Sequence, residues 1–224
     1  MATHRPAGWQ RPVAPVLPHA HAVPGHNRWH PAIPAAAEVI SGGSVRLECQ
    51  GREPDAEPVL CGPISVVGAE AGDVIVVDIL AVGRSDGRFA GAAHPGIIGC
   101  APALDSLTGL VDDPDGALLG HVPPGPDYDR VVARALPSAA RGLEIGGCAI
   151  APLIAGSRIL LPVRARGGKL SVGDLHFPPT SADECATTTL PGWIDLRINL
   201  TKRGVERFSV HGPMMMPDPA QPVR

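Results

Sequence analysis

GPISVVGAEAGDVIVVDILAVG, residues 62–83, holds two apolar, β-branched runs separated by an Ala-Glu-Ala-Gly-Asp turn. Short runs of this composition, bounded by glycine, read as strands rather than helices. The second run, Val74 to Val82, is apolar at nearly every position and reads as a strand buried on both faces. The same grammar recurs on either side. Ala36 to Gln50, AAEVISGGSVRLECQ, is a strand, a Gly-Gly turn and an alternating strand with Val45, Leu47 and Cys49 on one face, which predicts a hairpin. Arg158 to Val163, the Gly167-Gly168 turn and Lys169 to Val172 predict another.

Further along, WIDLRINLT, residues 193–201, sets Ile194, Leu196, Ile198 and Leu200 against Trp193, Asp195, Arg197, Asn199 and Thr201. This is the clearest amphipathic strand in the chain. HPGIIGCAP, residues 94–102, is a short apolar strand bracketed by proline and glycine. Tyr128 to Leu143 carries Val131, Val132, Ala135 and Leu136 near helical spacing and predicts the one helix longer than a turn. Repeated hairpins with little helix predict a mainly β fold, a sandwich or barrel. Residues 1–25, rich in proline and histidine, read as an extended N-terminal arm. The domain proper is expected over 26–204, with a turn-rich acidic surface excursion about 103–127 and a C-terminal tail over 205–224, whose stretch after Pro213 gives no structural signal.

At 224 residues the chain can bury a sizeable core without staples. Its 27 Gly and 26 Pro are spread among apolar residues and punctuate short strands. Aromatic residues are only 3%, so Val, Ile, Leu and Ala must build the core. A formal net charge of -3, with no stripe of Lys and Arg interleaved with aromatics, argues against nucleic acid as a partner. The five cysteines form no Cys-x-x-Cys pair, as expected of reduced thiols in a cytosol. Proline interrupts any apolar signal region, no run of 18 apolar residues exists, and a cytoplasmic protein with no membrane contact is expected. Edge strands of a β protein need cover, which makes a homo-oligomer plausible.

Chemistry concentrates at Gly173-Asp174-Leu175-His176. Carboxylate and imidazole two residues apart on an extended backbone point to one face. They can bind a divalent, zinc-like metal, or Asp174 can orient His176 as a general base. The structural alternative is a Gly-Asp turn with a hydrogen-bonded histidine. His94 precedes Pro95 and Gly96; the proline holds it extended and the glycine permits close backbone approach, so both are candidate substrate contacts. In HNRWHP, residues 26–31, the prolines at 24, 31 and 34 oppose a helix, so a two-histidine metal site is not expected there. Trp29 either lines a pocket, touching substrate, or anchors the strap. Asp183, Glu184 and Cys185 follow closely enough to reach the same rim, with Glu184 the candidate second carboxylate in catalysis, or form a solvated acidic loop. Cys148 reads as a buried thiol. No P-loop, GxGxxG opening a helix, GxSxG or HExxH is present.

Six collinear segments resemble the acetamidase/formamidase family: HNRWHP at 26–31, GPISVVGAEAGDVIVVDIL at 62–80, HPGIIGCAP at 94–102, GSRILLPV at 156–163, LSVGDLHF at 170–177 and GWIDLRINLTKRG at 192–204. The resemblance implies a mainly β fold of barrel and sandwich units. It implies hydrolysis of formamide, acetamide or a similar small-molecule amide to the acid and ammonia, with His94, Asp174 and His176 in or near the site. Family members usually carry His-Gly-Gly-Asn-Cys-Asp where this chain has Ile145-Gly146-Gly147-Cys148-Ala149. They carry Gly-Asp-Gly-Glu where it has Ser181-Ala182-Asp183-Glu184, so only the acid pair is kept. The chain is also shorter than a typical member. Two readings stand at this level. One is a linear amide hydrolase using Asp174, His176 and Glu184; the other is a family member without that activity, serving as a binding or scaffold protein or running a different reaction.

Overall fold

The computed structural model describes residues 25–53, 56–108, 116–139, 153–178 and 189–216, and the backbone of 144–145. In chain order the strands are β1 (Arg28–Trp29), β2 (Ala37–Val39), β3 (Ser44–Cys49), β4 (Leu60–Val66), β5 (Val74–Arg84) and β6 (His94–Gly99). They continue as β7 (Leu136–Pro137), β8 (Glu144–Ile145), β9 (Arg158–Pro162), β10 (Leu170–His176), β11 (Gly192–Thr201) and β12 (Met214–Met216). Two short α-helices, α1 (Pro126–Val132) and α2 (Gly204–Phe208), and one 3-10 turn at Leu104–Ser106 complete the described elements.

Ten of the strands form two five-stranded sheets, in the orders β2-β4-β10-β6-β8 and β12-β9-β5-β11-β3. Their inner faces share one apolar core that includes Leu47, Ile64, Ile75, Val77, Ile98, Leu161, Val172, Ile194 and Leu196. The mainly β sandwich expected from the residues is therefore what forms. The expected hairpins do not. β2 and β3, β4 and β5, and β9 and β10 each fall in opposite sheets. At every such corner a glycine takes positive φ (Gly42 at 87°, Gly72 at 92°, Gly167 at 77°), and the chain folds over to the facing sheet. Alternation tells which face of a strand is buried but not which strand lies beside it, so two apolar runs and a glycine turn fit a corner as well as a hairpin. All ladders are thus between strands distant in sequence, antiparallel except for β2 on β4.

The first half of β5 is buried on both faces, as its composition requires. Ile75, Val77 and Ile79 face the main core, while Val74 and Val76 pack with Leu160, Val205 and Val210. Val205 lies in α2, so this second face depends on the segment after residue 204. That segment also supplies β12, which pairs with β9. Residues given no structural signal by sequence therefore extend a sheet. β11 alternates as expected: Ile194, Leu196 and Ile198 are fully buried. On its outer face Asp195 pairs with Arg46 at 2.7 Å, and that guanidinium lies 4.1 Å over the Trp193 ring.

The helix expected over 128–143 covers only Pro126–Val132 and gives way to β7. Pro126 opens it, where the missing N–H costs nothing, and Pro137 could not sit inside a continuing helix. β7 pairs with β1 as a two-stranded ribbon. Trp29 and Leu136 of this ribbon pack with Leu60 and Ile97, tying it to the first sheet. The N-terminal arm, apart from Gly25, lies outside the described residues, and among those described no helix is long and apolar enough to cross a membrane.

Ile194→Ala empties a fully buried position on β11 and is expected to lower unfolding free energy by about 2–5 kcal/mol. Ile40→Ala, at a largely exposed residue, should cost under about 0.5 kcal/mol, both read from urea midpoints at constant slope.

Candidate active site

β10 and β6 are antiparallel neighbours with His176 directly opposite His94, Leu175 opposite Pro95 and Gly173 opposite Ile97. Directly opposed side chains meet, and the two imidazoles stack with centroids 5.4 Å apart and planes 8° from parallel. Asp174 is not extended as the sequence suggests: its φ is 55°, the left-handed region, which aspartate tolerates better than most residues. Even so, its carboxylate reaches the imidazole two residues on, with Asp174 Oδ2 3.3 Å from His176 Nε2. Gly96 lies on the facing strand. A Cβ there would stand 2.5 Å from Asp174 O, 2.6 Å from His176 Nε2 and 2.7 Å from Asp174 Oδ2. Its side-chain void is what lets the pair form against β6.

The far side of the carboxylate is held by Arg52, whose Nε donates to Asp174 Oδ1 at 2.8 Å. Burial pushes the Asp174 carboxyl up, but the hydrogen bonds and charges of His176 and Arg52 outweigh it and hold the acid below its usual range. The site therefore contains a buried carboxylate. A carboxylate only accepts, so His176 Nε2 must be the donor in their bond. His94 Nδ1 lies 2.9 Å from Ala92 O, which likewise only accepts, so the lone pair of the neutral ring is on Nε2. Burial, with a smaller contribution from the His176 charge, lowers the His94 pKa against the raising effect of the Ala92 bond, so that ring is neutral at pH 7.

Arg52 escaped the sequence reading. It sits in a turn of mixed charges, and its partner is 122 residues away. It is positioned by a backbone bridge, Arg52 N–H donating to Thr189 O at 3.1 Å just before β11. Glu184, Asp183, Cys185 and the stretch at 146–149 lie outside the described residues.

HNRWHP forms a second buried polar knot. His26 Nδ1 lies 2.7 Å from Arg28 O and its Nε2 2.8 Å from Ser171 Oγ on β10. Burial lowers the His26 pKa to about 4, against the raising effect of the Arg28 carbonyl bond. Arg28, 2% exposed, bonds Glu57 at 2.5 Å. The Trp29 indole N–H donates to Ser138 O at 3.3 Å, and its ring meets His26 edge-on as well as Leu60 and Ile97. These contacts anchor the β1–β7 ribbon.

No group of three or more His, Cys, Asp or Glu among the described residues is arranged to hold an ion. Asp174 and His176 are bonded to one another, and the second carboxylate oxygen is held by Arg52.

A sandwich whose neighbouring strands bring two histidines and a charge-clamped aspartate together, in segments spread from Arg52 to His176, identifies a family when compared as a whole. The model of the acetamidase/formamidase family matches residues 16–88 and 85–224, and the chain belongs to that family. It is 30% identical to a formamidase of Methylophilus methylotrophus, across 88% of this chain and 69% of that protein. It is also 30% identical to an acetamidase of Mycolicibacterium smegmatis, across 90% of this chain and 72% of that one. Among solved structures, a gamma lactamase from Delftia acidovorans superposes with a TM-score of 0.73 at 25% identity, covering 88% of this chain and 69% of that one.

Two outcomes follow from this geometry. Gly96→Ala forces three atoms of the site apart and is expected to cost about 1–3 kcal/mol of stability, measured by urea unfolding, and to displace the His176 ring from Asp174. His26 and His94 both have folded pKa values below the unfolded 6.5. Their stabilising effect is complete above that pH and falls away on acidification, because the unfolded chain takes up the protons first. His26 alone should lower unfolding free energy by about 2 kcal/mol between pH 7 and 5, read from denaturant curves at the two pH values.

Proposed function

We propose that this chain hydrolyses the carbon–nitrogen bond of small linear amides, giving the carboxylic acid and ammonia, at the His94–Asp174–His176 cluster. The observation that carries the proposal is the Arg52–Asp174–His176 chain of contacts, in which a buried carboxylate is clamped by a guanidinium on one oxygen and meets the imidazole Nε2 with the other. It stands in a family whose relatives bear the names formamidase and acetamidase.

His176 Nδ1 takes a proton from water as the water oxygen attacks the amide carbon, and later returns it to the departing nitrogen as the C–N bond breaks. Asp174 fixes the ring tautomer and offsets the positive charge that the imidazole gains. Arg52 keeps that carboxylate ionised and oriented. His94, neutral and stacked on His176, adds no competing charge and presents its Nε2 as an acceptor for the substrate amide N–H. Gly96 supplies the room beside the pair. Glu184 is the proposed second carboxylate, assisting proton transfer to ammonia.

Ammonia release from formamide, acetamide, propionamide and a γ-lactam is the direct assay; turnover of at least one linear amide is expected. His176→Ala should lower kcat/KM by about a hundred- to ten-thousand-fold. Turnover that survives dialysis against a chelator is expected of the imidazole–carboxylate pair acting alone. Loss restored by zinc would instead make Asp174 and His176 ligands. No release from any amide would remove the proposal.

A further inference from the structure

A cavity of about 530 Å³ is lined by the residues that follow β1, by α1 and by the turn after β9. Small-molecule sites occupy roughly 300–1,000 Å³, so this one is of ligand size. None of its lining residues belongs to the His94–Asp174–His176 cluster, and none is acidic. Three arginines face it: Arg130 in α1, Arg134 just beyond α1 and Arg164 just beyond β9. Apart from these and His30, the lining side chains are apolar, Pro31, Leu104 and Val131 among them.

We propose that this cavity binds a small organic carboxylate, its acid group on Arg134, Arg164 and His30 and its hydrocarbon body against Pro31, Leu104 and Val131. Arg134 Nη2 donates to Leu107 O at 3.0 Å, and Arg164 Nη2 donates to His211 O. Both acceptors are neutral carbonyls, so they orient the guanidiniums without cancelling their charge. A guanidinium carries five N–H donors, and neither of these two makes a further hydrogen bond or an ion pair among the described residues. Their planar, forked donors match the two oxygens of a carboxylate. Arg130 already pairs with Asp127 at 2.8 Å and adds less net charge.

His30 supplies a second, independent observation. The residue is only 6% exposed and lines the cavity. Ala32 N–H donates to its Nδ1 at 3.1 Å, so that nitrogen holds the lone pair and the hydrogen of the ring is on Nε2. Among the described residues Nε2–H has no acceptor, and leaving a donor unmatched on a nearly enclosed ring is costly. A carboxylate oxygen in the cavity would accept it. A bare inorganic anion would meet the same donors but leave the apolar wall uncovered, whereas an acid on a hydrocarbon body covers both.

The test is isothermal titration calorimetry of the full 224-residue chain with sodium hexanoate. Saturable binding is expected, and 1-hexanol and inorganic phosphate, each lacking one half of the match, should bind more weakly. Arg134→Gln and Arg164→Gln, both at exposed residues, should each weaken hexanoate by roughly ten- to hundred-fold, the worth of a hydrogen bond to a charged group. His176→Ala should leave the affinity unchanged. No arm reads amide turnover, so the result stands apart from the proposed hydrolysis. The proposal is overturned by no saturable binding, by unchanged affinity in either arginine variant, by phosphate or 1-hexanol binding as tightly as hexanoate, or by loss of binding in His176→Ala.

Discussion

The close approach of β6 to β10 at Gly96 is the constraint around which the site is arranged. With a side chain at that position, the Asp174 backbone carbonyl, its carboxylate and the His176 ring could not all keep their places. The same ladder sets His94 against His176, so one register decides both the stacking of the imidazoles and the contact with the aspartate. β10 itself is buried along its whole length. It can be so because the facing sheet covers one side and the β1–β7 ribbon, anchored by Trp29, covers part of the other.

Burial gives the polar groups their character. His26 and His94 sit where desolvation outweighs their hydrogen bonds, so both are neutral bases. Asp174 is equally enclosed but ionised, because two donors meet its two oxygens. A carboxylate left unpaired at that depth would take up a proton, so the clamp from Arg52 is as much a part of the site as the histidine. The 50–60 segment makes the clamp possible while also placing Glu57 on the buried Arg28, which links the outer ribbon to the same stretch of chain.

Much of this was legible in the residues. The β-branched runs around 62–83 and the alternation of 193–201 identify the strands and their buried faces, because side-chain period is a local property. The short Asp-x-His pattern and the small residue at Gly96 mark the place where chemistry could occur. Arg52 carries no such mark. Neither do the β12 strand, which forms only because β9 offers it an edge, or the end of α1 ahead of Pro137.

The sequence by itself determined a mainly β protein, its strand faces and the residues able to do acid–base work, since these follow from composition and from periodicity along a single strand. Tertiary structure alone decided that the glycine turns are corners between sheets, that Asp174 adopts a left-handed conformation, and that Arg52 meets it from 122 residues away. Each of those depends on which strands lie side by side, and that choice is made by packing two faces together rather than by any local run of residues.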